Sequence, residues 1–326
     1  MTAGVKILIV KLSSLGDVVH AMPAVQDVRV ALPDAQVDWV VERGFAPLVA
    51  RCDGVARVIE CELRRWRKAP LGASTRAQWR AFREELQGDA YDAVIDLQGL
   101  TKSALVARVA RLAESGRRFA LGNRTEGSSY EAPTRWIADV AVPIEPHVHA
   151  ITRSRELCAK ALGYRVPERV RFGLRAERRD RGDESCVALV HGTSREDKCW
   201  PEPHWVELGR RLISSGQTIG LPHGSDAERE RGERLARAMG AGAAVWPRLD
   251  LGALTDRLAS CAGVVGVDSG LSHIAVALDL RHVQVYNFDT AWRTGPLPPQ
   301  RRQRSVFGQP APDVDTVWQA WLEAQR

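Results

Sequence analysis

The 326-residue chain has no apolar run approaching the ~20 residues that a membrane-crossing helix needs, which sets aside a helical membrane protein. Its first residues, Met1 to Val10, lack a basic start, a long apolar core and a small-residue cleavage site, so no secretory leader is expected. Cysteine is sparse: Cys52, Cys61, Cys158, Cys186, Cys199 and Cys261 lie far apart with no C-x-x-C pair. That pattern fits free thiols in a reducing cytoplasm better than a disulfide framework or a zinc site. No G-x-G-x-x-G follows a strand, which counts against a nicotinamide dehydrogenase, and no G-x-x-x-x-G-K-[ST] is present, which excludes a P-loop. The only Asp-x-Asp, Asp313-Val314-Asp315, stands beside the terminal helix, where it reads as capping rather than as a metal–diphosphate clamp. With no clustered Cys or His either, neither a metal site nor a cofactor is expected. Helix-turn-helix, zinc-finger and RNA-recognition patterns and a K/R-rich tail are also missing, so nothing supports a nucleic-acid partner.

What is present is a chain long enough for two domains of about 150 residues each. Apolar residues make up 44% of it, sufficient for a core in each half. Lys and Arg number 46 against 40 Asp and Glu, a net +6, and the surface therefore leans towards anionic partners.

The chain alternates strand, loop and helix twice over. Strands are expected at Val5–Leu12, Val37–Val41, Arg57–Cys61 and Tyr91–Leu97, with helices at Val18–Leu32, Ser74–Gln87 and Thr101–Ala113. From Glu114 to Arg181 the pattern weakens, apart from a helix at Ala150–Leu162. It resumes with strands at Cys186–His191, Thr218–Leu221, Ala243–Trp246, Gly263–Val267 and Val283–Tyr286 and helices between them, then a basic, Pro-rich stretch at Pro296–Arg304 and a helix at Asp313–Gln325. Such alternation implies doubly wound α/β sheets, whose ligands bind beyond the carboxyl ends of the strands.

Four segments carry residue types suited to chemistry. In Ser13-Ser14-Leu15-Gly16-Asp17, Gly16 permits a tight turn, and Asp17 is either a helix cap or a general base for an incoming hydroxyl. In His191–Pro201, Thr193, Ser194 and Lys198 form either a polar loop or a phosphate grip of hydroxyls and one point charge. In Gly266–His273, Asp268, Ser269, Gly270, Leu271 and His273 surround a helix start, which is either an ordinary cap or an anion site for a diphosphate. The run Arg64-Arg65-Trp66-Arg67-Lys68, with Arg76 and Arg80, is either a solvated face or a grip on an anionic acceptor near a membrane.

Taken together, Val10–Ala24, Arg64–Lys68, Tyr91–Leu100, Asp197–Pro201 and Val267–His273 resemble, in order and spacing, the motifs of the lipopolysaccharide heptosyltransferase I family. The resemblance spans Lys6 to about Tyr286. It implies a GT-B fold of two Rossmann-like domains facing across a cleft: residues 1–172 for the acceptor, 173–305 for the ADP-sugar, and 306–326 as a helix packing back towards the first domain. The implied activity is inverting, metal-independent transfer of L-glycero-D-manno-heptose from ADP-heptose to the first Kdo of Kdo-lipid A, on the cytoplasmic face of the inner membrane; for the oligomeric state, on which the sequence is silent, a monomer is the default expectation.

By the same resemblance Asp17 is the base and Lys198 counters charge on the departing ADP. Thr193, Ser194, Glu228, Leu249, Asp268, Ser269, Gly270, Leu271 and His273 hold the donor, with Glu228 on the ribose and Leu249 on adenine. Ser14, Gly16, Arg64, Arg67 and Lys68 belong to the acceptor side. The chain departs from the family at Ser129-Tyr130-Glu131-Ala132-Pro133, where relatives show Ala-Arg-Glu-Pro, so an acceptor-binding Arg is missing and Arg124 and Arg135 are the substitutes on offer. The competing expectations are a later-acting heptosyltransferase, against which His191-Gly192-Thr193 speaks, and a non-catalytic nucleotide-sugar-binding protein.

Overall fold

The computed structural model describes residues 4–177, 185–298 and 301–324. The chain divides into two compact units, Met1–Leu174 and Arg175–Arg326. Part of the linker expected at 170–182 lies outside the described residues.

The first unit runs β1 (Lys6–Val10), α1 (Leu15–Ala31), β2 (Gln36–Glu42), α2 (Ala46–Val49), β3 (Val55–Cys61), α3 (Leu63–Trp66), α4 (Ala73–Gln87), β4 (Tyr91–Asp96), α5 (Thr101–Val109), β5 (Leu112–Leu121), α6 (Pro133–Ile137), β6 (Val140–Val142) and α7 (Ala150–Leu162). Its six strands are all parallel, in the order β3-β2-β1-β4-β5-β6. The central strands are the most apolar because helices cover both of their faces: Ile7, Leu8, Ile9 and Val10 are fully buried. Helix α1 is buried from Val18 to Val28, and α7 is locked onto it by a bidentate pair in which Arg155 Nε and Nη2 donate to Asp27 at 2.7 and 3.0 Å.

The second unit runs β7 (Cys186–Val190), α8 (Glu202–Ser214), β8 (Thr218–Leu221), α9 (Asp226–Met239), β9 (Ala243–Val245), α10 (Leu251–Ala259), β10 (Gly263–Val267), α11 (Gly270–Ala277), β11 (His282–Tyr286), α12 (Ala291–Thr294), β12 (Gln303–Phe307) and α13 (Val314–Glu323). Its parallel sheet is ordered β9-β8-β7-β10-β11-β12, which repeats the first sheet's winding strand for strand. In each sheet the winding direction reverses between the two central strands, β1 and β4 or β7 and β10, and that reversal opens the crevice where such sheets take ligands. The two doubly wound α/β units expected from the alternation are both present.

Several elements differ from the expectation. Helix α5 stops at Val109 instead of Ala113, because Arg118 caps its end by donating to Ala107 O at 3.0 Å and Ala110 O at 3.1 Å. Residues 112–121 form strand β5, which was not foreseen; its register against β4 shifts between Tyr91 and Ala93, and a Cβ at Gly116 would collide with Tyr91 O. The Pro-rich basic stretch ends in β12, which pairs with β11. Helix α13 packs on β11, β12 and α8 of the second unit, with Trp321 in that unit's core. Asp313 caps it through Thr316 N at 2.7 Å, as its Asp-x-Asp was read to do.

Candidate active site

In the first unit the candidate residues gather where β1 passes into α1. Ser14 is the N-cap of α1 and Asp17 sits in its first turn, 37% exposed. Asp17 Oδ2 accepts from Ser14 N at 3.2 Å and Ser14 Oγ at 2.8 Å, so the capping reading holds. Capping does not exhaust this carboxylate. Its Oδ1 faces Lys11 Nζ and Arg153 Nη2, each at 3.7 Å, and both cations are almost wholly buried. Burial alone would raise the Asp17 carboxyl; the charges of Lys11 and Arg153 and the Ser14 hydrogen bonds outweigh it and bring it down to about 2. Gly16 lies within the first helical turn and uses no left-handed backbone, so the tight turn expected of it is not what the site requires.

Strand β4 supplies the floor. Gln98 Oε1 accepts from Leu12 N and Ser13 N, both at 3.1 Å, which fixes the loop that carries Ser14. Asp96, fully enclosed, accepts from Gln98 N, Gly99 N and Ser103 Oγ, yet burial still pushes its carboxyl up to about 6. Lys11 Nζ donates to Leu97 O at 3.1 Å, and burial draws its ammonium below the ordinary lysine range.

The basic run surrounds a buried anchor. Trp66 closes α3 and meets Trp79 and Phe82 of α4 at 5.7 and 5.5 Å between ring centroids. That packing leaves Arg64, Arg67, Lys68, Arg76 and Arg80 exposed on the loop and helix around it. Arg65 pairs with Glu62, whereas Arg64, Arg67 and Lys68 form no ion pair among the described residues. Arg124 and Arg135 are also exposed, and Arg135 stacks over Trp136 at 5.8 Å. Arg124 lines a cavity of about 290 Å³ with Thr125, Glu126, Gly127 and Pro146.

In the second unit several of the residues expected to hold the donor converge on Asp268, just beyond β10. Lys198 Nζ donates to Asp268 Oδ2 at 2.5 Å, His273 Nε2 lies 3.5 Å from Oδ1, and Thr193 Oγ1 donates to the Asp268 carbonyl at 3.2 Å. Burial works to raise the Asp268 carboxyl, but His273 and Lys198 hold it well below the usual carboxylate range. Ser269 caps α11, and its shielded hydroxyl has no hydrogen-bond partner among the described residues. Gly270 and Leu271 follow in the first turn of that helix, with backbone N–H groups and the positive dipole end available to an anion. Glu228, near the start of α9, accepts from Gly224 N at 2.6 Å and lies against Gly192, where a Cβ would come within 2.5 Å of Glu228 Oε1. A side chain at 192 would displace this carboxylate. Ser194 is exposed, and Leu249, half-exposed, precedes the N-cap of α10 without joining the cluster.

Sequence reasoning missed several participants. Thr294 donates to Asp268 Oδ1 at 3.4 Å, and Asn287 Nδ2 clasps the carbonyls of Asp197 and Cys199 on either side of Lys198, at 3.0 and 2.9 Å. Lys11 was legible as a lone cation closing an apolar strand. Arg153 lies on an otherwise ordinary amphipathic helix, and nothing in its spacing marked it. Among the described residues no group of three or more His, Cys, Asp or Glu is placed to hold a metal ion, and no helix is long and apolar enough to cross a membrane.

The family model of glycosyltransferase family 9 (heptosyltransferase) matches residues 79–319. The chain belongs to this family of heptosyltransferases. It is 42% identical over 290 residues to lipopolysaccharide heptosyltransferase 1 of Pseudomonas aeruginosa, covering 86% of this chain and 78% of that relative. Among solved structures it resembles the E. coli heptosyltransferase WaaC with ADP, at 36% identity, a TM-score of 0.87, and coverage of 98% and 99% of the two chains. The same E. coli enzyme with ADP-2-deoxy-2-fluoro heptose gives 37% identity and a TM-score of 0.83, covering 98% and 100%. For this heptosyltransferase the expected fold and family therefore hold, and the chain is a glycosyltransferase.

Proposed function

We propose that the chain transfers L-glycero-D-manno-heptose from ADP-heptose to the first Kdo of Kdo-lipid A, building the inner core of lipopolysaccharide. Membership of the heptosyltransferases supports the sugar, and the likeness to relatives named lipopolysaccharide heptosyltransferase 1 supports the step. The observation that carries the donor assignment is the convergence of Lys198, His273 and the α11 N-terminus on one strand end. A diphosphate needs a compact cation, hydroxyls and unsatisfied N–H groups, and this cluster presents all three.

The reaction is a single displacement that inverts the anomeric centre and uses no metal. The Kdo hydroxyl oxygen attacks the anomeric carbon while its proton passes to the Asp17 carboxylate. The bond from that carbon to the phosphate oxygen breaks, and its electron pair leaves with ADP. Lys198, His273 and the N–H groups of α11 meet the charge that grows on ADP, where one preorganised donor lowers a barrier by roughly 3–4 kcal/mol. Thr193, Ser194, Asp268 and Ser269 shape the phosphate and sugar contacts, Glu228 holds the ribose and Leu249 lies against adenine. On the acceptor side Ser14 and Gly16 border the base, and Arg64, Arg67 and Lys68 meet the acidic sugar and the anionic inner-membrane surface.

The test is incubation with Kdo-lipid A and either ADP-heptose or another ADP-sugar, followed by mass and anomeric NMR analysis of the lipid. One added heptose of inverted configuration, only with ADP-heptose, is expected; addition to an already heptosylated core instead would move the chain to a later step.

A further inference from the structure

We infer that Arg153, braced by Thr125, is a positioning residue for the acceptor-side base, and that Asp17 Oδ1 is the oxygen that takes the proton. The inference rests on Asp17 being that base, as proposed above.

The two oxygens of Asp17 have different surroundings. Oδ2 is occupied by two hydrogen bonds from Ser14, which orient the carboxylate. Oδ1 has Lys11 Nζ and Arg153 Nη2 as its neighbours, each at 3.7 Å, near enough to attract and longer than an ordinary hydrogen bond. A base oxygen that must accept from a substrate hydroxyl needs this combination of fixed direction and open hydrogen-bonding capacity.

Holding a cation at that distance requires that it be held from elsewhere. Lys11 is tethered to Leu97 O. Arg153 is tethered by Nη1 donating to Thr125 Oγ1 at 3.1 Å. Thr125 is 1% exposed; its hydroxyl also meets Ser128 Oγ at 2.8 Å, and its loop is pinned to Ile144 by Asn123, which both donates to Ile144 O and accepts from Ile144 N. Helix α7 is fixed to α1 two residues further on by the Arg155–Asp27 pair. Arg153 thus reaches Asp17 from a braced helix and through a braced loop. The remaining charged and titratable groups around the base are Lys102 of α5, which donates to Ser13 Oγ at 3.4 Å, Asp96 of β4, which acts on Lys11, and the His20–His149 ring contact between α1 and the start of α7 at 5.9 Å.

The test needs two readouts. In ligand-free protein, the Asp17 carboxyl 13C signal, assigned by its loss in Asp17→Asn, stays ionised down to about pH 4 in the wild type and titrates at or above that pH in Arg153→Met. This measurement requires no turnover, so it stands apart from the choice of substrate. In the transfer assay, the near-isosteric Thr125→Val, which spares Arg153 should Arg153→Met fail to fold, lowers kcat about tenfold with both KM values within about twofold. Thr125→Ser restores most of that loss. In an Asp17→Asn background Thr125→Val has no further effect, because the group it acts through is gone. An unmoved Asp17 titration in Arg153→Met, no recovery of kcat in Thr125→Ser, or a full additional loss in the Asp17→Asn background would overturn the assignment. Absence of heptose transfer by the wild type, with the Asp17 titration still moved by Arg153→Met, would reject the substrate and leave the positioning role in place.

Discussion

The two units build the same local device and put it to opposite uses. In each, a carboxylate lies beyond a central strand at the reversal point of the sheet, beside a helix start, with a lysine and a second basic side chain around it. In the first unit Asp17 is 37% exposed and its cations are buried, so the carboxylate is the group presented to a partner. In the second unit the exposure of carboxylate and lysine is reversed: Asp268 is 7% exposed while Lys198 retains 18%, so the carboxylate holds a lysine that is itself presented, with His273 buried beside it. On the proposed mechanism the same pair of charges serves as a base in one place and an anion grip in the other, depending on which member is enclosed.

Breaking the first half of the comparison should have the largest effect. Asp17→Ala removes the proposed general base, and transfer should fall by about 10²–10⁴-fold while donor binding persists; single-turnover kinetics check the first part. Lys198→Ala breaks the second half and should cost on the order of 10²-fold in rate and weaken the donor as well, seen as a fall in kcat together with a rise in donor KM. Replacing Arg64, Arg67 and Lys68 by Gln sharpens the comparison, since these exposed cations form no ion pair among the described residues. Acceptor KM should rise roughly tenfold, more at low salt than at high, with donor KM unchanged.

A smaller effect separates the units by pH. The Asp96 carboxyl is raised to about 6, so the folded form binds its proton more tightly than the unfolded chain, and stability falls as pH rises through about 4 to 6. The buried rings of His191 and His282 are lowered to about 4, which has the reverse sign: stability rises with pH over about 4 to 6.5. Asp96→Asn keeps an oxygen for Gln98 N and Gly99 N and should remove the falling contribution, on the order of 2 kcal/mol, leaving stability that climbs with pH in urea titrations.

The central strands and long helices were legible because burial on both faces writes continuous apolar runs at β1, β4, β7 and β10, and because the helices between them carry the helical period. Strand β5 was not, since its first half is polar and half-exposed and its pairing depends on a bulge at Gly116 and on the capping reach of Arg118, neither of which has a local signature. At the site, Asp17 and Lys198 sit in recognisable strand-end loops. The groups around them, Arg153, Thr125, Asn287 and Thr294, come from distant segments and meet the site through a few contacts that only the folded chain creates.

The division of labour is tested most directly by titrating ADP-heptose into Asp17→Ala and Lys198→Ala side by side in a calorimeter. The account predicts wild-type affinity for the first variant and at least about a tenfold loss for the second, that is, 1.4 kcal/mol or more. Loss of donor affinity in Asp17→Ala with none in Lys198→Ala would contradict it.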